Sequence, residues 1–331
     1  IAPFASLLDK NSKIYLVGSV GKEDLEELKE FFRKNYPIVD VGGIRVNPAG
    51  TDHHEGDKNF VKVKIKVEPT NYEHIAPYIH KVDVVIFNFG NIDDIDPVAI
   101  KKVKQNSKTL VYVDVHRKPY GVDENGYIYS RGWPNWEEYL GYADVVQMNR
   151  NECRALFQKN VSSISDFIDC ARKVLGAGAG KVLITLGEKG VLVAQRLASN
   201  QYQYALTPAI ACRVVDTTGC GDSFAAGYLV GTHENKPFSE AIKLCSFMAA
   251  INCEFVGYIK VINREKIEER KPKVCFKCNK SNEFDAEFCS FCNTALSQKR
   301  MVEVNDGLKN ELAEIIEDLL IGTFVRAKVG E

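Results

Sequence analysis

Short apolar runs alternate along most of this chain with longer stretches whose apolar residues recur at helical spacing. Glu23–Phe32 and Ile164–Leu175 are examples of the longer stretches. The short runs are rich in β-branched residues, as is typical of strands buried on both faces of a parallel sheet. They are Ile14–Val17, Val82–Phe87, Leu110–Val115, Ala143–Met148 and Lys181–Leu186. This alternation predicts an α/β fold, a doubly wound and mostly parallel sheet sandwiched by helices, with ligands at the carboxyl ends of its strands.

Other segments refine this pattern. Gly190–Ala194 and Tyr202–Leu206 predict a strand meander that leads through a further strand-like run, Ile210–Val215, into a helix. Phe238–Asn252 has the character of a buried helix. Gly42–Val67 alternates polar and apolar residues, which predicts a small β-flap beside the main sheet.

The texture of the chain changes after Asn263, where charged residues precede a cysteine-rich stretch. A length of 331 residues suits one large α/β unit with an appendage. We therefore predict three parts: an α/β domain over residues 1–270, a small cysteine module over 271–298, and an amphipathic helical tail over 299–331. The apolar stripe of this tail consists of Leu308, Leu312, Ile315, Ile316, Leu319 and Leu320.

Composition narrows the classes of partner. The formal net charge is -1, which argues against general electrostatic binding to nucleic acid or to anionic membranes. No apolar run approaches the length of a membrane span. Ten cysteines in a long chain without a visible signal peptide suggest reduced thiols and metal ligands rather than a disulfide framework. We expect a cytoplasmic protein.

The sequence from Asp216 to Asp222 carries the most specific chemistry in the chain. Gly219 and Gly221 flank Cys220 where the helix is predicted to begin. Backbone N–H groups at such a turn point outward beside the positive end of the helix dipole, and together they form a site for phosphate or for developing negative charge. Asp222, a carboxylate in the first helical turn, is placed to take a proton from a hydroxyl.

This Asp-Thr-Thr-Gly-Cys-Gly-Asp sequence resembles the C-terminal signature of the ribokinase-like (PfkB) carbohydrate kinases. Two further segments agree in order and spacing. Asn149–Glu152 is similar to the family's Asn-x-x-Glu element, and Thr185–Gly190 resembles its nucleotide-contacting turn. The likeness covers residues 1 to about 268, so the predicted α/β domain is identified as a kinase domain of this family.

The resemblance implies an ATP-dependent kinase acting on a hydroxyl of a sugar, polyol or nucleoside. Asp222 would be the catalytic base, and the amides of Gly219, Cys220 and Gly221 would form the anion hole. Asn149 and Glu152 would organise Mg²⁺, largely through water. ATP would be contacted by four further residues: Thr185, Gly187, Thr217 and Thr218.

The acceptor side is less defined by sequence. Asp114 and Arg117 follow a predicted strand, resemble a stretch in fructokinase-like members shifted by one residue, and are candidate substrate contacts. An ordinary structural salt bridge is the alternative for Arg117. The family's first strand, with its substrate-binding Asp, and the following Gly-Gly pair are absent from the sequence, which begins at Ile1. We expect that first strand to be missing and the substrate identity to stay open.

A second specific motif lies outside the kinase domain. Cys275 and Cys278 form one Cys-x-x-Cys pair, and Cys289 and Cys292 form another after ten residues. Four thiolates in two such pairs suit a tetrahedral zinc ion with no open position, which makes the zinc structural. A module this short cannot bury a core, and metal binding contributes on the order of 10 kcal/mol to such folds.

Two alternatives remain beside the active kinase. One is a catalytically silent kinase fold that serves as a regulatory or binding module. The other gives the zinc ribbon the main role, in docking to nucleic acid or to a partner protein. Acidic residues between the cysteine pairs argue against a phosphate-binding face. A homodimer or a protein partner through the flap or the C-terminal tail also stays open.

Overall fold

The structure is a computed structural model of the 331-residue chain. It describes residues 2–48, 50, 68–125, 127–197, 201–210, 212–256, 272–274, 277–278, 281–283, 288–289, 291–294, 300–305 and 323–328. The chain divides into two compact units. The first unit comprises Lys10–Thr185 with Ala194–Arg196, and the second comprises Ile1–Asp9, Leu186–Val193 and Leu197–Glu331. Each unit is described by itself.

Helices and strands alternate through most of the described ranges, as the apolar pattern predicts. In chain order they are α1 (Ala2–Leu7), β1 (Ile14–Gly21), α2 (Lys22–Asn35), β2 (Val39–Asn47), α3 (Tyr72–Ile75), β3 (Val84–Asn88), α4 (Val98–Asn106), β4 (Leu110–Asp114), β5 (Tyr120–Val122), β6 (Ile128–Ser130), α5 (Glu137–Leu140), β7 (Val145–Asn149), α6 (Arg150–Phe157), α7 (Ile164–Ala177), β8 (Lys181–Thr185), β9 (Val191–Arg196), β10 (Tyr202–Thr207), α8 (Cys220–His233), α9 (Phe238–Cys253), β11 (Pro272–Val274), β12 (Ser281–Glu283), β13 (Arg300–Asn305) and β14 (Thr323–Lys328). None of the helices in the described residues has the length and apolar character that a membrane span requires.

A parallel sheet of β3, β4, β7 and β8, in that order, forms the centre of the first unit. Its strands consist largely of buried valine, leucine, isoleucine and aromatic residues, because helices cover such sheets on both faces. Asn88 pairs with Asp114, and Asn149 pairs with Thr185. The parallel register therefore places the polar residues that end these strands along one edge of the sheet.

Strands β1 and β2 form a separate two-stranded parallel sheet in the first unit, connected by helix α2. The segment Gly42–Asn47, predicted to begin the β-flap, is the second part of β2. It pairs with β1 through Val17–Gly21. Glycine is required at position 43, because a Cβ there would lie only 2.8 Å from the carbonyl oxygen of Leu16. Residues 51–67, the rest of the predicted flap, lie outside the described residues.

Helices α8 and α9 pack closely against each other in the second unit. A Cβ at Gly227 would lie 2.7 Å from the Cα of Cys245, and a Cβ at Gly231 would lie 2.8 Å from the Cβ of Ala241. The two glycines, one helical turn apart, thus allow the α9 backbone to approach α8. A core cluster follows from this approach, with members from α1, α8 and α9: Leu7, Ala226, Val230, Phe247, Met248 and Ile251.

The segment Ile210–Val215, predicted to be strand-like, is not a strand in its described residues, and that prediction is wrong. Val214 and Val215 are exposed by 62% and 48%, so their apolar character does not reflect a buried sheet position. The backbone N–H of Val215 instead donates to the carbonyl of Cys253, at the end of α9. This segment is a connection held against a helix terminus.

The predicted helical tail also needs correction. Arg300–Asn305 and Thr323–Lys328 are strands that pair in parallel, and the second also pairs antiparallel with β10. Both segments contain β-branched residues close together in sequence, which favour extended backbone over helix. The apolar stripe from Leu308 to Leu320 lies outside the described residues, as does the predicted boundary near residue 270.

Candidate active site

The turn from Asp216 to Asp222 leads directly into α8, in the second unit. Gly219 is the N-cap of this helix and has a φ of 78°, a conformation that residues with a side chain rarely adopt. The N–H of Thr218 donates to Asp216 Oδ1 at 2.9 Å. The N–H of Cys220 donates to the carbonyl oxygen of Thr217 at 3.2 Å. Hydrogen bonds between near neighbours therefore fix the turn before the helix begins.

The amides predicted to form an anion hole have different partners. The N–H of Cys220 is used inside the turn, whereas no residue in the described part of the chain accepts a hydrogen bond from the N–H of Gly219. Asp222 follows in the first turn of α8, where a carboxylate is favoured by the helix dipole. Asp222 is half-buried, and the residues that follow it in α8, from Ser223 to Gly231, are buried.

Asn252, near the end of α9, holds this turn in place. Its Nδ2 donates to the carbonyl oxygen of Thr218 at 2.7 Å and approaches Cys220 Sγ at 3.2 Å. The carbonyl of the next residue, Cys253, accepts from the N–H groups of Val215 and Asp216 at 2.8 and 3.0 Å. Asn252 is only 4% exposed. Sequence reasoning assigned it no role, because its contact with Thr218 joins residues far apart in the chain.

The Asn149–Glu152 element begins α6 in the first unit and forms a reciprocal capping box. Asn149 Oδ1 accepts from the N–H of Glu152 at 2.9 Å, and the N–H of Asn149 donates to Glu152 Oε2 at 2.7 Å. The two side chains also contact each other directly, with Asn149 Nδ2 2.5 Å from Glu152 Oε1. Glu152 is only 6% exposed, so a carboxylate is held at this helix start in one orientation.

His116 lies beside this box. Its Nδ1 is 3.6 Å from Glu152 Oε1, and its backbone has a positive φ of 38°. The positive φ turns the chain directly after β4, whose last residue is Asp114. Such a conformation is uncommon outside glycine and is found where surrounding structure enforces it. His116 is therefore a further polar residue at the strand ends. Sequence reasoning did not select it.

The two candidate acceptor residues have different environments. Asp114 is 6% exposed, and its Oδ2 accepts from Gln147 Nε2 at 3.2 Å, while Gln147 Oε1 accepts from the hydroxyl of Tyr112 at 2.5 Å. Asp114 thus belongs to a buried polar network between β4 and β7. Arg117 is half-buried, and within the described residues its guanidinium has no ion pair or hydrogen bond. The alternative for Arg117, a structural salt bridge, is thus not found among the described residues.

Two adjacent carboxylates after β3 have opposite electrostatic environments. Burial raises the pKa of Asp94 to about 6, although the N–H of Asn91 and the charges of Lys118 and His116 act in the other direction. Asp94 Oδ1 is buried and has no hydrogen-bond partner in the described ranges. For Asp93, burial also raises the pKa, but Arg131 and Lys118 outweigh it, and the net pKa is lowered. Lys118 Nζ and Arg131 are 3.2 and 2.9 Å from Asp93 Oδ1.

The predicted nucleotide-contacting turn has a backbone geometry that requires glycine at two positions. Thr185 ends β8 in the first unit, and Gly187, with a φ of 65°, starts a short 3₁₀ turn in the second. The turn closes where the N–H of Leu186 donates to the carbonyl of Gly190 at 2.7 Å. A Cβ at Gly190 would lie 2.0 Å from the carbonyl oxygen of Thr207, so only glycine fits there.

Three of the four predicted zinc ligands are close together. The sulfur atoms of Cys278, Cys289 and Cys292 all lie within 4.8 Å of one another, with Cys289 2% exposed. The hairpin of β11 and β12 surrounds Cys278 in sequence. Cys275 lies outside the described residues. Three convergent thiols, which are soft ligands, fit the chemistry of a zinc site.

Comparison with known proteins agrees with these features. The family model described as pfkB family carbohydrate kinase matches residues 99–263. Adenosine kinase from Saccharomyces cerevisiae is 30% identical over 277 residues, which is 76% of this chain and 75% of that protein. Cytidine kinase from Thermococcus kodakarensis is 26% identical over 234 residues, or 69% of this chain and 78% of that protein.

The fold is shared with solved structures. One is a pyrophosphate-dependent kinase in the ribokinase family complexed with a pyrophosphate analogue and myo-inositol, with a TM-score of 0.64 and 21% identity. The match covers 81% of this chain and 89% of that one. The architecture is thus the ribokinase-like α/β fold, with a mostly parallel central sheet. More specifically, the chain belongs to the pfkB family of carbohydrate kinases.

The environment of Asp94 predicts a pH-dependent effect on stability. Its folded pKa of about 6 lies above the usual 3.8, so its ionised form destabilises the fold above pH 6, and this cost disappears below pH 3.8. The substitution Asp94→Asn removes this cost. It should therefore raise the free energy of unfolding at pH 8 by on the order of 2 kcal/mol more than it does at pH 4. Urea unfolding at both pH values measures this difference.

Asp93→Asn is the matched control. Because the Asp93 pKa is lowered, its carboxylate stabilises the fold above its unfolded pKa, and that stability is lost as pH falls. The Asn variant should be less stable than the parent at pH 8. If Asp94→Asn changes the stability by the same amount at both pH values, the raised pKa of Asp94 is contradicted.

Proposed function

We propose that this chain transfers the γ-phosphoryl group of ATP to a hydroxyl of a sugar, polyol or nucleoside, with Asp222 as base. The observation that carries this proposal is the turn before α8. There Gly219 has a positive φ, its N–H has no acceptor in the described residues, and a carboxylate follows in the first helical turn. An anion site beside a base is the arrangement that phosphoryl transfer to an alcohol needs.

Asp222 takes the proton of the acceptor hydroxyl as its oxygen attacks the γ-phosphorus in line. Its carboxylate lies in the first turn of α8, three residues after the N-cap Gly219 of the proposed anion site. The amides at Gly219 and Gly221 stabilise the charge that builds on the transferring group. Of the three amides first assigned, that of Cys220 already donates to Thr217, so its part is to hold the turn.

The donor nucleotide is assigned to residues of two turns. Thr185 and Gly187 belong to one, and Thr217 and Thr218 belong to the other. Support comes from the fixed backbone of both: Gly187 has a φ of 65°, and Thr218 is held by Asp216 and Asn252. Because backbone groups of fixed orientation lose little entropy on binding, such turns suit contacts to a nucleotide.

A bound Mg²⁺ would neutralise charge on the donor phosphates. Asn149 and Glu152 are the residues that we assign to its placement. Both Glu152 oxygens already accept hydrogen bonds from Asn149, so their remaining lone pairs suit bonds to water rather than a full set of metal contacts. On the acceptor side we assign Arg117, whose guanidinium is not paired within the described part of the chain, with buried Asp114 in a supporting role.

A donor and acceptor screen tests the proposal directly. Phosphoryl transfer would be followed with ATP or pyrophosphate as donor and with sugars, polyols and nucleosides as acceptors. We expect ATP-dependent transfer to a member of one of these acceptor classes. Transfer from pyrophosphate alone would replace the donor assignment, and no transfer to any acceptor would contradict the function.

Asp222→Asn should lower the turnover number by about 10²-fold or more, because the amide cannot accept the hydroxyl proton. The amide is nearly isosteric, so the melting temperature should change little. Steady-state kinetics with the acceptor found in the screen measures the effect. The matched control is Glu240→Gln, which neutralises an exposed carboxylate in the first turn of α9. Equal turnover in the Asp222 variant and the parent would remove Asp222 as the base.

Glu152→Gln should raise the Mg²⁺ concentration needed for half-maximal rate by about tenfold or more, because residues that orient metal-bound groups have effects of this size. The box at the start of α7 provides a matched control. There Asp166 Oδ2 accepts from the N–H of Ser163 at 3.0 Å, as Glu152 accepts from Asn149.

Both Glu152→Gln and Asp166→Asn weaken a helix cap, so both should lose about 1 kcal/mol of stability. Only the Glu152 variant should need more Mg²⁺, which a Mg²⁺ titration of the initial rate would measure. If the two variants respond alike, the Asn149–Glu152 element is a helix cap with no part in metal placement.

We further propose that Cys275, Cys278, Cys289 and Cys292 hold one structural zinc ion. The convergence of three of their sulfur atoms supports this. Zinc would join two short segments that have few apolar residues of their own, and four thiolates would leave no position for a substrate.

Cys289→Ser should therefore abolish zinc binding by the full chain, which elemental analysis of the purified protein would measure. The parent should carry one zinc per chain. Cys212→Ser, a substitution of a half-buried cysteine outside the cluster, should retain the metal. A parent protein purified without chelator and found free of zinc would refute the site.

A further inference from the structure

Two cysteines meet at the turn that carries the proposed base. Cys220 is the first residue of α8, Cys253 is the last residue of α9, and their sulfur atoms are 3.0 Å apart. Asn252 Nδ2 lies 3.2 Å from Cys220 Sγ and thereby fixes the position of that thiol. Both cysteines are half-buried, so a small reagent can reach them.

The other close thiols of the chain differ in access or in chemistry. Cys153 and Cys170 hydrogen bond to each other, but they are 0% and 4% exposed in the core of the first unit. Cys278 and Cys289, with sulfur atoms 3.4 Å apart, belong to the cluster of three thiols assigned to zinc. Among the described residues, the pair Cys220–Cys253 combines proximity, access and a position at a functional turn.

We propose that Cys220 and Cys253 form a reversible disulfide that switches off phosphoryl transfer. The oxidant is a low-molecular-weight disulfide. The thiolate of one cysteine attacks it to give a mixed disulfide and one small thiol, and the second cysteine then displaces the other small thiol. One sulfur–sulfur bond forms in the protein and one breaks in the reagent. Two protein thiols are oxidised, and their two protons pass to the two small thiols released.

We expect the bond to disturb the turn. A disulfide has a sulfur–sulfur length of about 2.05 Å, so the two sulfur atoms must approach each other by about 1 Å from their present 3.0 Å. Cys220 lies between Gly219 and Gly221, so the bond would tie the proposed anion site covalently to the last residue of α9 and constrain the two flanking amides. Displacements of about 1 Å in catalytic groups lower rates by up to about 10²-fold. The effect on activity rests on the proposed function, whereas the bond itself does not.

The test uses the full, zinc-loaded chain treated with glutathione disulfide. Proteolysis without reductant, followed by mass spectrometry, should yield a linked peptide pair containing Cys220 and Cys253. Phosphoryl transfer should fall by about tenfold or more and return after dithiothreitol. No linked pair, or a linked pair with unchanged transfer, would overturn the proposal.

Variants separate this site from other cysteines. Cys253→Ala should keep the activity of the reduced parent and lose its sensitivity to oxidation, with Cys253→Ser as a second variant if alanine disturbs the end of α9. Cys212→Ala should remain as sensitive as the parent. Inhibition of the Cys253 variants equal to that of the parent would contradict the assignment. If the reduced parent transfers no phosphoryl group at all, the proposed function fails, while the linked peptides still decide whether the disulfide forms.

Discussion

The close approach of α8 and α9 is the constraint on which the turn from Asp216 to Asp222 depends. Gly227 and Gly231 remove two side chains from one face of α8, and the backbone of α9 occupies the space. At the end of α9, Asn252 and Cys253 thereby come within hydrogen-bond distance of the turn before α8. A larger residue at either glycine would separate the helices, and the turn would lose the groups that hold it. The conformation of the proposed anion site is thus set by packing about two to three helical turns away.

In the first unit, the parallel pairing of the strands determines where the polar side chains lie. Because the strands share one direction, the polar residues that end them lie along one edge of the sheet, and the buried Glu152 and Asp114 are oriented by Asn149 and Gln147. Burial of carboxyl groups is costly unless they are hydrogen-bonded, so these hydrogen bonds offset the cost of burying the two side chains. Asp94 is the exception, with one oxygen that has no partner in the described residues and a raised pKa.

Apolar periodicity was sufficient to predict the buried strands and the helices between them, because burial on both faces leaves a continuous β-branched run. It was misleading at Ile210–Val215, where apolar residues are exposed beside a helix terminus. The motif predicted the glycine-dependent turns, since a positive φ restricts the residue type at Gly219 and Gly187. It gave no indication of Asn252, His116 or Cys253, because their contacts join residues far apart in sequence. The strand character of Arg300–Asn305 was missed for the same reason, since its pairing partner lies 23 residues further along the chain.

The glycine face of α8 has a consequence for protein engineering. Helices α8 and α9 form one structural block, since the depth at which α9 packs is set by residues on α8 and determines where its last turn lies. In a chimera that takes α8 alone from a related kinase, the distance between the new α8 and the native α9 would differ from the native distance. We therefore expect exchange of the turn before α8 between relatives to preserve its conformation when Asp216 through Cys253 are transplanted together.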